Sequence, residues 1–302
     1  MDTGRTDSGS ANAPDGAISH VSDTGLWVAI YRAMESERPD ALFHDAHARR
    51  LAGARGEAIV RAMPQGRTQA WAMIVRTQIF DEILMRLVAE RAIDAVLNLA
   101  AGLDVRPYRL PLPASLRWTD VDFPDVIDYK TRMMASETPR CQYEAAGVDL
   151  SDEAARSRLF DRVDAASQRV LVISEGLLIY LSHDEVTSLA RDLAARKTFR
   201  YWLLDLASPL LLTYMNRTWG KRLTQEQTRF KFGLDDRPAF FEPLGWRETE
   251  FHGNWDEAKR LDRRMRHSWL WDFLGMLQPP KRRAQYRQMA GSILLERTGA
   301  GG

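Results

Sequence analysis

The chain has 302 residues, 45% of them hydrophobic and 27% charged, which is globular composition rather than disordered, fibrous or membrane-embedded composition. Lys plus Arg number 42 against 41 Asp plus Glu, so there is no global positive field to hold a nucleic acid. The one cysteine, Cys141, excludes an intramolecular disulfide and a cysteine metal cluster; no signal-peptide pattern opens the chain and no apolar run reaches ~18 residues, so a soluble cytoplasmic protein is expected.

Residues 1–22 are rich in Gly, Ser, Asp and Ala and read as a disordered tail, with 23–302 as a single domain. From Thr24 to Glu90 the pattern is helical, most clearly where Trp71, Val75, Ile79, Ile83 and Leu87 recur every fourth residue, and 23–92 is expected to form a helical cover. The period then changes. Ala95–Ala100 is a short apolar run suited to a strand buried on both faces, and further strands are expected at Leu116–Val121, Cys141–Val148, Val170–Ser174, Tyr201–Leu206, Trp246–Phe251 and Ser292–Glu296. Helices over Phe123–Ser136, Asp152–Val163 and Asp184–Arg196 separate several of these, the last opened by a capping box from Ser182 to Glu185. Alternation of this kind predicts a doubly wound α/β fold with a mostly parallel seven-stranded sheet. Residues 93–208 would be its core, 209–245 a helical insertion near the pocket mouth, and 246–302 the last part of the sheet.

Ligands of such sheets bind beyond the carboxyl ends of the strands. After the first strand comes Ala100-Ala101-Gly102-Leu103-Asp104-Val105-Arg106-Pro107, whose small residues let backbone approach a ligand, although a plain strand-to-helix connection would use them too. The second strand ends at Asp122, twenty residues after Gly102, the spacing that places a carboxylate on ribose hydroxyls. The competing role for Asp122 is to cap the helix that starts at Pro124, while Asp120 points to the opposite face. His44 and His47 lack partners for a metal site, and no metal is expected.

Leu97 to Leu110, followed by Val121-Asp122-Phe123-Pro124, resembles the first two motifs of the leucine carboxyl methyltransferase family, and the similarity extends to bacterial polyketide O-methyltransferases of the tetracenomycin type. Val75–Asp81, Gly147–Leu150, Ser174–Leu181 and Phe240–Trp246 resemble later motifs in the same order. The resemblance implies an S-adenosylmethionine-dependent O-methyltransferase. It implies that Arg76 holds the methionine carboxylate, that Ala100, Ala101, Gly102 and Asp104 lie against the methionine part, and that Asp122 takes the ribose hydroxyls with Phe123 beside it. Asp149 and Leu150 would frame the adenine and Glu175 would lie beneath the amino-acid or sulfonium end. The family motif usually opens with glycine where this chain has Ala100, which would weaken binding if a positive φ is required there. Without the family match, Arg76 would pair on its own helix face or with solvent, and Tyr180 would be a core residue.

The acceptor is expected to be a small organic, polyketide-like molecule presenting a carboxylate or hydroxyl oxygen. Tyr180, with Tyr214, Arg217 and Trp219 of the insertion, would contact it, and Tyr180 is also the one candidate for a catalytic group. A nicotinamide-dependent oxidoreductase and a non-catalytic cofactor-binding protein are the competing readings; oligomeric state is not set by the sequence.

Overall fold

The computed structural model describes residues 22–62, 70–219, 229–265 and 286–299, with 268, 278, 279 and 282. Apart from Ser22, the expected N-terminal tail lies outside the described residues. Its centre is one sheet of seven strands: β1 (Ala95–Leu99), β2 (Arg117–Asp122), β3 (Gln142–Gly147), β4 (Val170–Ser174), β5 (Phe199–Ala207), β6 (Trp246–Gly253) and β7 (Ala290–Arg297), in the order β3-β2-β1-β4-β5-β7-β6. The first five pair in parallel, and β7 runs antiparallel to both β5 and β6. Every residue of β1 and of β4 is buried, the outcome expected of continuous apolar strands covered on both faces. All seven expected strands are present, with ends shifted by up to two residues.

The helical N-terminal stretch divides into α1 (Ser22–Ser36), α2 (Ala48–Ala62) and α3 (Ala70–Ala89). On α3, Val75, Ile79, Ile83 and Leu87 are buried and cover one face of the sheet with Trp118, Leu171 and Leu203, whereas Trp71 at the head of the same stripe stays half-buried. The opposite face is covered by α6 (Glu153–Ala166) and α7 (His183–Ala194), through Leu159, Phe160, Val186 and Leu189. The capping box that opens α7 is formed: Ser182 Oγ accepts from Glu185 N and the Glu185 carboxylate accepts from Ser182 N.

A third apolar cluster lies over the carboxyl ends of the strands. Trp27, Ile30 and Tyr31 of α1 and Leu51 and Ile59 of α2 pack there with Leu103 and Val105 from the turn after β1, with Leu212 of α8 (Pro209–Trp219), and with Phe230. Among the described residues no helix is long and apolar enough to cross a membrane.

Candidate active site

A cavity of about 1410 Å³ opens where that third cluster meets the strand ends. Its first wall is the turn between β1 and the short helix α4 (Arg106–Arg109). Ala101 N donates to Val121 O at 3.0 Å and Gly102 N donates to Asp122 Oδ2 at 2.7 Å, so β2 holds the turn at two points. The second oxygen of Asp122 accepts from Phe123 N at 2.7 Å. The helix that follows, α5 (Pro124–Met133), receives no side-chain cap, so Asp122 does not cap it and serves the turn instead. Burial pushes the Asp122 carboxyl above its ordinary value, against the two backbone N–H groups that favour the charged form. Each of its oxygens keeps a further lone pair for a ligand hydroxyl.

Ala100 is left-handed at φ 51, as is Gly102 at φ 49. The backbone here thus demands the conformation that glycine adopts freely and alanine resists. The family's usual glycine has a physical reason, and this chain carries an alanine in its place.

Beneath the turn lies a network of buried charges. Arg76 of α3 donates through Nε to Glu175 Oε1 at 3.0 Å and through Nη1 to Asp205 Oδ2 at 2.9 Å. Arg106 pairs through Nη1 with Asp104 at 2.7 Å and Glu175 at 2.8 Å, and through Nε with Asp81 at 2.6 Å. Burial would raise the Glu175 carboxyl, but Arg106 and Arg76 outweigh it and hold the group below its usual range. Asp104 behaves likewise: burial opposes its charge, and Arg106, Lys130, Arg109 and Arg32 hold it well below the usual carboxylate range. Gly176, at φ 70, lets the Arg76 guanidinium lie against the chain; a Cβ there would stand 3.2 Å from Nη1. Its N–H donates to Asp205 Oδ1 at 2.6 Å, locking the ends of β4 and β5 together.

Asp120, fully buried, faces the other way. It accepts from Lys130 Nζ at 2.5 Å, Trp118 Nε1 at 2.7 Å, Asn98 Nδ2 at 2.9 Å and the Tyr143 hydroxyl at 2.9 Å. Asn98 also donates to Asp104 at 3.1 Å, so Asp120 supports the turn from behind without reaching the cavity.

Of the residues expected at the site, Arg76, Ala100, Ala101, Gly102, Asp104, Asp122, Phe123, Asp149, Glu175, Tyr180 and Tyr214 all line this cavity. Leu150 does not: Asp149 is drawn into a turn by Ser151, whose N–H and hydroxyl donate to it at 2.9 and 2.7 Å, and the Leu150 side chain packs against the core. Arg217 is exposed and stands outside the cavity; on α8 it lies roughly a third of a turn from the direction shared by the lining residues Leu211, Tyr214 and Met215. The Trp219 side chain lies outside the described residues. Tyr180 bonds the Thr24 side chain, and burial pushes its hydroxyl up to about 12, so it is a hydrogen-bond donor and not a base at neutral pH. No cluster of His, Cys, Asp and Glu suited to a metal occurs among the described residues. Sequence reasoning missed Arg106 and Asp205 as site residues; Asp205 carries the same signal as Asp122, a carboxylate at the carboxyl end of a parallel strand.

A buried carboxylate closing β2, a small-residue turn after β1 and a charged floor at the ends of β4 and β5 sit on a sheet of order β3-β2-β1-β4-β5-β7-β6 with β7 antiparallel, the sheet of a methyltransferase-type fold. The leucine carboxyl methyltransferase family model matches residues 25–194. A protein of Parafrankia sp. named as an S-adenosyl-L-methionine-dependent methyltransferase is 38% identical over 57% of this chain, and the match spans 58% of that relative's length. One from Saccharopolyspora erythraea with the same designation is 34% identical, over 79% of this chain and 87% of its own. Among solved structures, a DUF574 family protein from Streptomyces avermitilis covers 90% of this chain and 96% of its own at 13% identity with a TM-score of 0.55. A protein of Thermobifida fusca named as a methyltransferase covers 91% and 98% at 15% identity and 0.53, and these two show the same fold. The chain belongs to the leucine carboxyl methyltransferase family, a family of S-adenosylmethionine-dependent methyltransferases.

Proposed function

We propose that the chain transfers the methyl group of S-adenosylmethionine to a carboxylate or hydroxyl oxygen of a small organic, polyketide-like acceptor held under α1 and α8. The observation that carries the donor half is Asp122: a buried carboxylate fixed by Gly102 N and Phe123 N at the mouth of a cavity large enough for two ligands. The donor fits the residues present. Arg76 and Arg106 stand against Asp104, Glu175 and Asp205, a surplus of carboxylate that suits a cation, and Arg76 Nη2 has no protein acceptor among the described residues and can take a carboxylate.

In this reading Asp122 holds the ribose hydroxyls with Phe123 beside it, and Asp149 accepts from the adenine amine. Arg76 takes the amino-acid carboxylate, and Asp104 and Glu175 face the cationic end. S-adenosylmethionine supplies a methyl group already activated on a sulfonium. The protein's share is therefore alignment and exclusion of water, which proximity and orientation make effective. A carboxylate acceptor is ionised at neutral pH and needs no base, and Tyr180 serves as a donor that orients the acceptor oxygen.

The nicotinamide reading meets an obstacle. A pyrophosphate would seek the free N–H groups opening the helix after β1, but α4 has only four residues, and Asp104 Oδ1 already accepts from Arg106 N at 2.9 Å. Calorimetry decides between them: S-adenosylhomocysteine is expected to bind and NAD not, and Asp122→Ala should weaken S-adenosylhomocysteine by about 1.5–3 kcal/mol. Tight NAD binding, or an Asp122→Ala variant that binds as wild type, overturns the reading.

A further inference from the structure

We infer that Asn98 is a further cofactor-binding residue, whose side-chain carbonyl oxygen accepts a hydrogen bond from the amino group on the methionine part of S-adenosylmethionine. The inference rests on the donor site proposed above, which lays the methionine part against the turn from Ala100 to Asp104.

Asn98 is the only polar side chain of β1. It is 2% exposed, yet it lines the cavity. In the parallel pairing of β1 with β2 it stands in register with Asp120, so the two side chains leave the same face of the sheet. The turn after β1 then brings Asp104 back to it. Asn98 Nδ2 donates to Asp120 Oδ1 at 2.9 Å and to Asp104 Oδ2 at 3.1 Å, which spends both hydrogens of the amide.

These two partners also decide which way the amide points. A charged carboxylate accepts and cannot donate, so the nitrogen faces Asp120 and Asp104 and the oxygen faces away from them. Arg106 holds Asp104 charged against its burial. Asp120 takes Lys130, Trp118 and Tyr143 besides Asn98, one donor for each lone-pair position of its two oxygens. The amide is thus fixed in one orientation by two anchored anions.

What remains is Oδ1. Among the described residues it accepts no hydrogen bond, and it is not one of the buried polar atoms closed off without a partner. Its open side is therefore the cavity that Asn98 lines. Linked hydrogen bonds polarise one another, so an amide that donates twice to anions offers a stronger carbonyl acceptor than a free one. A carbonyl oxygen asks for a donor and turns a carboxylate away. The amino-acid end of the cofactor carries one group of each kind. Its carboxylate suits Arg76 Nη2, and its ammonium suits Asn98 Oδ1, with Asp104 and Glu175 supplying charge and Asn98 supplying direction.

The test titrates full-length wild type, Asn98→Leu and Asn98→Ser calorimetrically with three probes. These are S-adenosylhomocysteine, its deamino analogue with hydrogen in place of the amino group, and methylthioadenosine, which lacks the amino-acid end. Wild type should bind the deamino analogue about tenfold or more weaker than S-adenosylhomocysteine. Asn98→Leu should weaken S-adenosylhomocysteine by about tenfold or more and leave the other two probes as in wild type. Asn98→Ser, too short to reach the ligand, should repeat the pattern, and it carries the test if the leucine variant does not fold. A residue that only propped Asp104 would act through it, and an Asp104→Asn background separates the two roles: Asn98→Leu should still cost S-adenosylhomocysteine about tenfold there. The inference is overturned if wild type binds the deamino analogue as tightly as S-adenosylhomocysteine, or if a folded Asn98 variant keeps wild-type affinity for S-adenosylhomocysteine. It is equally overturned if the variants lose the deamino analogue as strongly, or if Asn98→Leu has no further effect beside Asp104→Asn. Failure of S-adenosylhomocysteine to bind wild type would instead remove the donor site itself.

Discussion

Replacing Ala100 with glycine is expected to stabilise the protein, against the usual sign of an alanine-to-glycine change. Ala100 is held at φ 51. That conformation costs a residue with a Cβ about 1–2 kcal/mol, while glycine loses about 0.5–1 kcal/mol more backbone entropy on folding than alanine does. The difference favours Ala100→Gly by about 0.5–1 kcal/mol, which for a domain of this size raises the melting temperature by roughly 1–4 °C. Ala101 supplies the control, because it is buried and is not among the positive-φ residues. Ala101→Gly should therefore lower stability by about 0.5–1 kcal/mol. Thermal melts of the two variants beside wild type check the pair of signs, and titration with S-adenosylhomocysteine should show Ala100→Gly binding at least as tightly. If Ala100→Gly melts below wild type by as much as Ala101→Gly, the left-handed turn is not the source of strain argued here.

Acidification should weaken S-adenosylhomocysteine at a pH above the ordinary aspartate value of about 4, because burial raises the Asp122 carboxyl and protonation removes an acceptor for the ribose; affinity measured from pH 7 to 4 checks this, and Asp122→Asn should flatten the profile. The lowered Asp104 and Glu175 carboxyls carry the opposite sign for folding. Their contribution is complete above the unfolded values of roughly 4 and fades as pH falls through the lower folded values, which melts at pH 6, 4 and 3 would register. Arg76→Lys should weaken S-adenosylhomocysteine and also lower the melting temperature, since one ammonium cannot span Glu175, Asp205 and a ligand carboxylate together; a variant with unchanged affinity refutes the assignment. On α8, Tyr214→Ala should alter acceptor affinity at constant cofactor affinity, whereas Arg217→Ala should change neither, as its exposed side chain stands outside the cavity.

The sheet was legible because its central strands are bare apolar runs that stop at small or acidic residues. Val170–Ser174 needed no adjustment, and β5 begins two residues before Tyr201, at the buried Phe199. The turn and Asp122 were legible from spacing along the chain, a local property. Of the charged floor, Arg76, Asp104 and Glu175 were named only through the family resemblance, and neither Arg106 and Asp205 nor the pairing among the five was legible. Arg76 meets Glu175 across 99 residues and Asp205 across 129, and no periodicity reports a contact at such a distance. Leu150 and Arg217 were misplaced for a related reason: a motif names a stretch of chain, but the turn at Asp149 and the rotation along α8 decide which side chains of that stretch face the ligand.

The floor itself argues for a ligand. Arg76 and Arg106 are buried, as are the Asp81 carboxylate and nearly all of Arg109, and burying ions carries a desolvation penalty that pairing offsets only partly. Apolar residues of similar volume at these positions would be expected to hold the fold at least as well. Stability therefore does not account for placing Glu175, Asp205 and Asp104 around two guanidinium groups at the carboxyl ends of β4, β5 and β1, the one edge of the sheet where a ligand can reach them. What the arrangement does provide is rigid charge of both signs: among the described residues the Arg76 fork is fixed by two carboxylates with Nη2 left over, and Arg76 and Arg106 pair directly with the three carboxylates Glu175, Asp205 and Asp104. A ligand that is cationic overall and carries one carboxylate of its own satisfies both features at once. S-adenosylmethionine has this charge pattern, whereas a dinucleotide, with its anionic pyrophosphate, would meet Asp104 at the place where it needs free N–H groups.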